Sequence, residues 1–218
     1  MIKITAILAI VLFLSSCSQE QLEKLKEMQD AAKAPIPFVE TDIRIKDNEK
    51  HTFLRITVEP WKSTIKDGEK KNIGHLTIKE DTCFVYSEAN ELIWRIQSTS
   101  TDSLIIKNNQ DKSLFQLYKK KNSIRMTNDR KKLLYMLKMK SPRRCEFYQR
   151  DKLLAKGWVF GENIKIKNAE GEVLLTVYGC TNASTLFLTM PDFSMLQKTA
   201  LFLIFHRQEP EVEPGFPF

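Results

Sequence analysis

Residues 104–117 read LIIKNNQDKSLFQL: an apolar step at Leu104 and Ile106, a polar stretch rich in turn formers, then an apolar cluster at Leu114, Phe115 and Leu117. Alternation over a few residues puts one face in a core and the other in water, which is a half-buried strand. Two such runs around an Asn/Asp-type turn make a β-hairpin. The same phrase recurs on both sides. Cys83-Phe-Val85 precedes YSEANE and Leu92-Ile93-Trp94-Arg-Ile96; Ile124-Arg-Met126 precedes TNDRKK and Leu133-Leu134-Tyr-Met136. Cys145-Glu-Phe147 precedes YQRDK and Leu153-Leu154, and Ile164-Lys-Ile166 precedes KNAEGE and Val173-Leu174-Leu175. The starts Cys83, Leu104, Ile124, Cys145 and Ile164 keep a near-constant step of about twenty residues, the last step being the shortest. Upstream, Ile43-Arg-Ile45 lies two such steps before Cys83, and the beat between them falls on Ser63-Thr-Ile65.

A repeat of this length is one supersecondary unit that cannot bury its apolar face alone. Up to seven hairpins in series make an antiparallel meander of some dozen strands. An open sheet of that size leaves unpaired edges and curls, so the expected solution is closure into a barrel.

The beat stops at Pro191. Asp192 is a candidate N-cap, Pro191 a stop for a preceding strand TLFLT (residues 185–189), and FSMLQKTALFLIFH has no turn residues. From Thr199 to Phe205 the segment is apolar on every side, which demands burial all round. A helix threaded through the barrel satisfies that demand, with Leu201, Leu203 and Ile204 buried. Hairpins of the form apolar-x-IKNAEGE-apolar followed by PDFSMLQKTALFLIFH resemble the tubby-like superfamily, which includes LURP-one-related proteins and phospholipid scramblases. The resemblance covers about residues 38–208. It implies a closed antiparallel barrel of twelve strands around a buried C-terminal hydrophobic helix. Some family members bind phosphoinositides through a basic surface, and no binding residue carries over position by position.

The N-terminus has a different grammar. Lys3 precedes an uncharged apolar run, Ile4 to Leu14, and Leu14-Ser15-Ser16-Cys17 resembles the bacterial lipobox. The expectation is a signal peptide over 1–16, cut before Cys17, with lipid on the Cys17 thiol. Several acyl chains anchor stably where one is marginal. Ser18 after the cysteine, in place of Asp, favours the outer membrane if the organism has one. Residues 18–33 (SQEQLEKLKEMQDAAK) read as a helix: Ser18 and Gln21 fit a capping box, and Pro35 and Pro37 stop it. Anchor and stalk thus occupy 17–37, the barrel 38–208, and a Pro-rich tail 209–218.

With net charge +7 over 218 residues, the chain favours anionic partners. Lys107 through Lys152 holds 15 Lys/Arg against 4 Asp/Glu, a net +11 that leaves −4 on the rest. Lys119, Lys120 and Lys121 fall in a link between hairpins, as do Arg143 and Arg144, and should share one barrel end. Arg130, Lys131 and Lys132 fall within a hairpin turn, at the other end. The expected partners are the membrane through Cys17, and an anionic lipid or acidic envelope protein through Lys119–Lys121 and Arg143–Arg144. An exported location disfavours nucleic acid.

Signatures of catalysis are weak. His51, His75 and His206 stand in unrelated contexts without metal-ligand spacing, so no metal or cofactor is expected. Ser63-Thr-Ile-Lys66 matches S-x-x-K, but it leads into a Lys-Asp-Gly turn instead of a helix and lacks its companion motifs. Cys83 and Cys145 take the same apolar place in their beats, and with Cys180 they read as buried free thiols. The expectation is a non-enzymatic, membrane-anchored envelope lipoprotein. The alternative is a lipocalin-type carrier of a small apolar ligand, which needs an empty barrel.

Overall fold

In the computed structural model, which describes residues 41–208, each beat is a hairpin. The strands are β1 (Thr41–Asp47), β2 (Thr52–Val58), β3 (Lys62–Asp67), β4 (Asn72–Lys79), β5 (Thr82–Ser87), β6 (Leu92–Ser100) and β7 (Ser103–Lys107). They continue with β8 (Ser113–Lys120), β9 (Ser123–Asn128), β10 (Leu133–Ser141), β11 (Arg144–Gln149), β12 (Lys152–Phe160), β13 (Asn163–Asn168) and β14 (Val173–Tyr178). Every strand pairs antiparallel with its sequence neighbours, and β1 pairs with β14 (Ile45 opposite Val177) to close the barrel. The strand number is fourteen, not about twelve, because all seven beats fold as complete hairpins. The expected leader, Cys17, the expected stalk and the Pro-rich tail lie outside the described residues.

Six of the seven hairpin turns share one device. Asp47, Asp67, Ser87, Asn108, Asn128 and Asn168 open them, and each side-chain oxygen accepts the backbone N–H four residues on, at 2.8–3.1 Å. The residue three on takes the left-handed conformation: Lys50, Lys70, Asn90, Asp111, Lys131 and Gly171, with φ between 59° and 98°. A short Asx or Ser acceptor followed by a left-handed residue is what turns the chain back into the next strand. The turn between β11 and β12 is shorter, and this accounts for the shorter step from Cys145 to Ile164. There Gln149 stands in the opening position and reaches elsewhere.

The first strand of each beat supplies its two inward residues: Ile43 and Ile45, Ser63 and Ile65, Cys83 and Val85, Leu104 and Ile106, Ile124 and Met126, Cys145 and Phe147, Ile164 and Ile166 are all buried. Fourteen strands enclose more room than wall side chains fill. The chain fills it by entering after β14. A 3-10 helix, Ala183–Thr189, packs against β10, β11 and β12, and α1 (Met195–Gln208) packs against the 3-10 helix, β4 and β5. Every residue from Thr199 to Phe205 is buried. TLFLT is thus part of the 3-10 helix and not a strand. Asn182 caps it by accepting from Ser184 N at 2.7 Å.

Two wall glycines relieve crowding on the inner face, one against a neighbouring strand and one against α1. A Cβ on Gly157 would come within 2.6 Å of Cys145 Sγ, and one on Gly74 within 2.7 Å of the Leu196 side chain. Between the two inner helices, Phe193 stacks edge-on with Trp94 and Phe115. Asp192 accepts from Tyr135 Oη at 2.5 Å and from Gln149 Nε2 at 2.9 Å. It is therefore a wall tie and not the N-cap. Ser194 and Gln197 cap α1 reciprocally, Gln197 N to Ser194 Oγ at 3.3 Å and Ser194 N to Gln197 Oε1 at 3.0 Å.

Candidate functional site

The meander gives the barrel two unlike ends. The hairpin turns after odd-numbered strands form one. The short links after even-numbered strands form the other, with Thr41 at the start of β1, Tyr178 at the end of β14, and the last turn of α1. The link end brings the expected basic residues together. Lys119 and Lys120 end β8, Lys121 turns into β9 with φ 30°, Arg143 lies in the link after β10, and Arg144 opens β11. These two links stand two strands apart, about 10 Å at ordinary strand spacing. Arg130, Lys131 and Lys132 lie in the turn between β9 and β10, at the opposite end.

Lys120, Lys121, Arg143 and Arg144 are exposed, and Lys119 is half-buried. Lys140, on the same rim, is engaged by Glu146 at 3.2 Å. The Tyr148 hydroxyl, donating to Glu146, and the Lys140 contact hold that carboxyl below its usual range. Between the two clusters lies a crease of about 20 Å³, bordered by Lys119, Lys121, Asn122 and Met139. That space holds about one water. The rim therefore offers charge to an extended anionic surface and does not enclose a small ligand.

Sequence reasoning missed two residues of this end. Trp61, in the link between β2 and β3, is 70% exposed, and Phe160, at the end of β12, is 56% exposed. The signal was present in the Pro60-Trp61-Lys62 link, where the links after β4, β6 and β8 carry only polar residues. Large aromatic rings beside cations at one rim match the composition of a membrane interface.

The other candidates resolve simply. Ser63 points into the core and Lys66 out to solvent, so S-x-x-K is split across the wall. His51 lies in a turn near Asp47 and Glu49, and His75 stacks on Tyr86 outside β4 with its pKa lowered by burial and by Lys62. No group of three His, Cys, Asp or Glu with metal-binding geometry occurs among the described residues. Cys83, Cys145 and Cys180 are buried. Cys180 Sγ lies 3.6 Å from His206 Nδ1, a contact the sequence did not suggest. Its 4% exposure keeps a substrate from the sulfur unless the fold opens. Among the described residues, no helix is long and apolar enough to cross a membrane.

No protein-family model matches the chain, and no curated protein matches it. Among solved structures, a crystal structure of a protein from Arabidopsis thaliana is similar at 13% identity and a TM-score of 0.39, covering 68% of this chain and 86% of that one.

Proposed function

We propose that this protein is a non-catalytic lipoprotein of the cell envelope, tethered by lipid on Cys17, whose tubby-like barrel engages anionic lipid through its link end. The observation that carries the reading is the convergence of Lys119–Lys121 and Arg143–Arg144 on one rim, which also bears the exposed rings of Trp61 and Phe160. Each charge near an anionic bilayer contributes about 1 kcal/mol, screened within a Debye length. A closed barrel is also the architecture of a carrier. Here Phe187, Phe202 and Leu203 occupy the interior, which favours the surface reading.

Co-sedimentation with anionic phospholipid vesicles tests it, using the chain expressed from Ser18 so that no lipid contributes. Binding is expected at low salt and lost at high salt. Changing Lys119, Lys120, Lys121, Arg143 and Arg144 to Gln should remove most of it. Changing Arg130, Lys131 and Lys132 should not. Binding that ignores salt, or its absence even at low salt, would overturn the lipid reading and favour an acidic protein partner.

A further inference from the structure

A second basic feature sits on the barrel wall, on strands far from the rim clusters. The register sets Arg44 of β1 opposite Arg55 of β2, and Arg55 opposite Lys66 of β3. All three side chains point outward, since Ile43, Ile45, Leu54, Ile56 and Ile65 between them are buried. Like charges directly opposite one another on a sheet repel. Several other outward cations of the wall are accommodated: Lys46 lies over the Tyr178 ring at 5.3 Å, Lys167 over Trp158 at 5.5 Å, and Arg95 pairs with Asp111 at 3.3 Å. Among the described residues, Arg44, Arg55 and Lys66 have neither an acidic partner nor a ring.

The row borders a cavity of about 130 Å³, lined also by Asp42, Thr57 and Lys70. At about 30 Å³ per water, that is room for roughly four waters or one tetrahedral oxyanion with part of its carrier. Arg55 Nε is buried there with no hydrogen-bond partner among the described residues; Arg95 Nε is in the same state, but there Asp111 engages the guanidinium, whereas Arg55 has no acid. A buried donor without an acceptor is unfavourable, and native structures rarely keep one without reason. An anion in the cavity would satisfy the donor and neutralise the row together. Thr57 Oγ1 donates to Asp42 Oδ1 at 3.0 Å, which holds a carboxylate at the edge of this cationic site. That carboxylate repels a bare anion but accepts from a hydroxyl beside one.

We infer that the β1–β3 wall binds a phosphate monoester on a hydroxylated carrier. The phosphate lies against Arg44, Arg55 and Lys66, and a neighbouring hydroxyl donates to Asp42. The arginine forks suit phosphate oxygens, and Lys66 and Lys70 add point charge. The site shares no residue with the link-end rim, so it stands or falls apart from the proposed membrane contact.

Calorimetric titration of the full chain in non-ionic detergent tests this, with inorganic phosphate and sn-glycerol 3-phosphate as probes and chloride at matched ionic strength as the control. Both probes should bind, glycerol 3-phosphate the tighter. Arg55→Gln should weaken both by about tenfold or more, the loss of a charge-assisted hydrogen bond. Lys66→Gln, at an exposed position, should weaken both with no change in thermal melting. Asp42→Asn should improve inorganic phosphate and erase the preference for the glycerol ester. Phosphate that performs no better than chloride, or affinity unchanged in both Arg55→Gln and Lys66→Gln, overturns the inference. Vesicles of phosphatidic acid, tested with the five rim cations already changed to Gln, identify the source of the phosphate. Retention that Arg55→Gln abolishes supports a lipid headgroup, while binding of free ester alone supports a soluble one.

Discussion

Cys145 shows how a single inward position sets a measurable property. Its sulfur faces Gly157 and the 3-10 helix, and burial pushes the thiol from its ordinary 9.0 up to about 12. The folded state therefore keeps a proton that the unfolded chain gives up from about pH 9, and stability must fall as pH rises through that window. Tyr135 acts in the same direction from about pH 10, raised by burial and by its bond to Asp192. The urea midpoint should hold near neutral pH and decline above pH 9, with a shallower decline in Cys145→Ala. A midpoint independent of pH up to 11 would show that the thiol is solvated. The inward place of Cys145 was legible from the beat. The need for glycine at 157 was not, because it arises from Cys145 Sγ and the Ile164 side chain on the two flanking strands, which meet position 157 only through strand register.

Elements were legible where local chemistry dictates them and opaque where burial is complete. Apolar alternation and Asx-led turns located all seven hairpins, although the family resemblance implied only twelve strands. TLFLT reads as a strand because a short, fully buried apolar run has no polar face to reveal its period. Its 3-10 form follows from Asn182 capping the first turn and from burial of Ala183 through Leu188. The turns carry a testable strain. Lys131, at φ 59°, holds a conformation that costs a side chain about 1–2 kcal/mol and that Gly171 adopts in the matching turn of β13 and β14. Lys131→Gly should raise stability by about 0.5 kcal/mol after the extra freedom of the unfolded glycine is subtracted. Lys131→Val should lower it, both read from denaturant midpoints. For α1, Leu203 is fully buried inside the barrel, so Leu203→Ala should cost about 2–5 kcal/mol through lost burial and a cavity. A melting temperature unchanged by that substitution would mean that the helix lies outside the wall.

At the scale of the whole molecule, the meander converts a sequence interval into a direction. A full beat returns the chain to the same end and half a beat sends it to the other. The +11 segment is therefore divided between the ends and not gathered into one patch. That division was legible from spacing alone. The Arg44–Arg55–Lys66 row was not, because its members stand on three separate strands and meet only through strand register. The same geometry bears on the tether. β1 starts at the link end, so Thr41 stands on the rim that carries Lys119–Lys121, Arg143 and Arg144. Under the proposed function, lipid and rim act on one membrane, and a weak electrostatic contact becomes effectively intramolecular once the anchor holds it there. On that proposal the Cys17 thiol is the lipid acceptor, and Cys17→Ala should abolish labelling by radioactive palmitate in cells. With the anchor lost, residual association with isolated membranes should be weak, abolished by salt, and reduced further when the five rim cations are changed to Gln. In the lipidated protein the same five changes should leave membrane retention intact, since several acyl chains suffice alone. Equal palmitate labelling of wild type and Cys17→Ala would refute the tether. Retention of the unlipidated chain at high salt would refute the electrostatic rim.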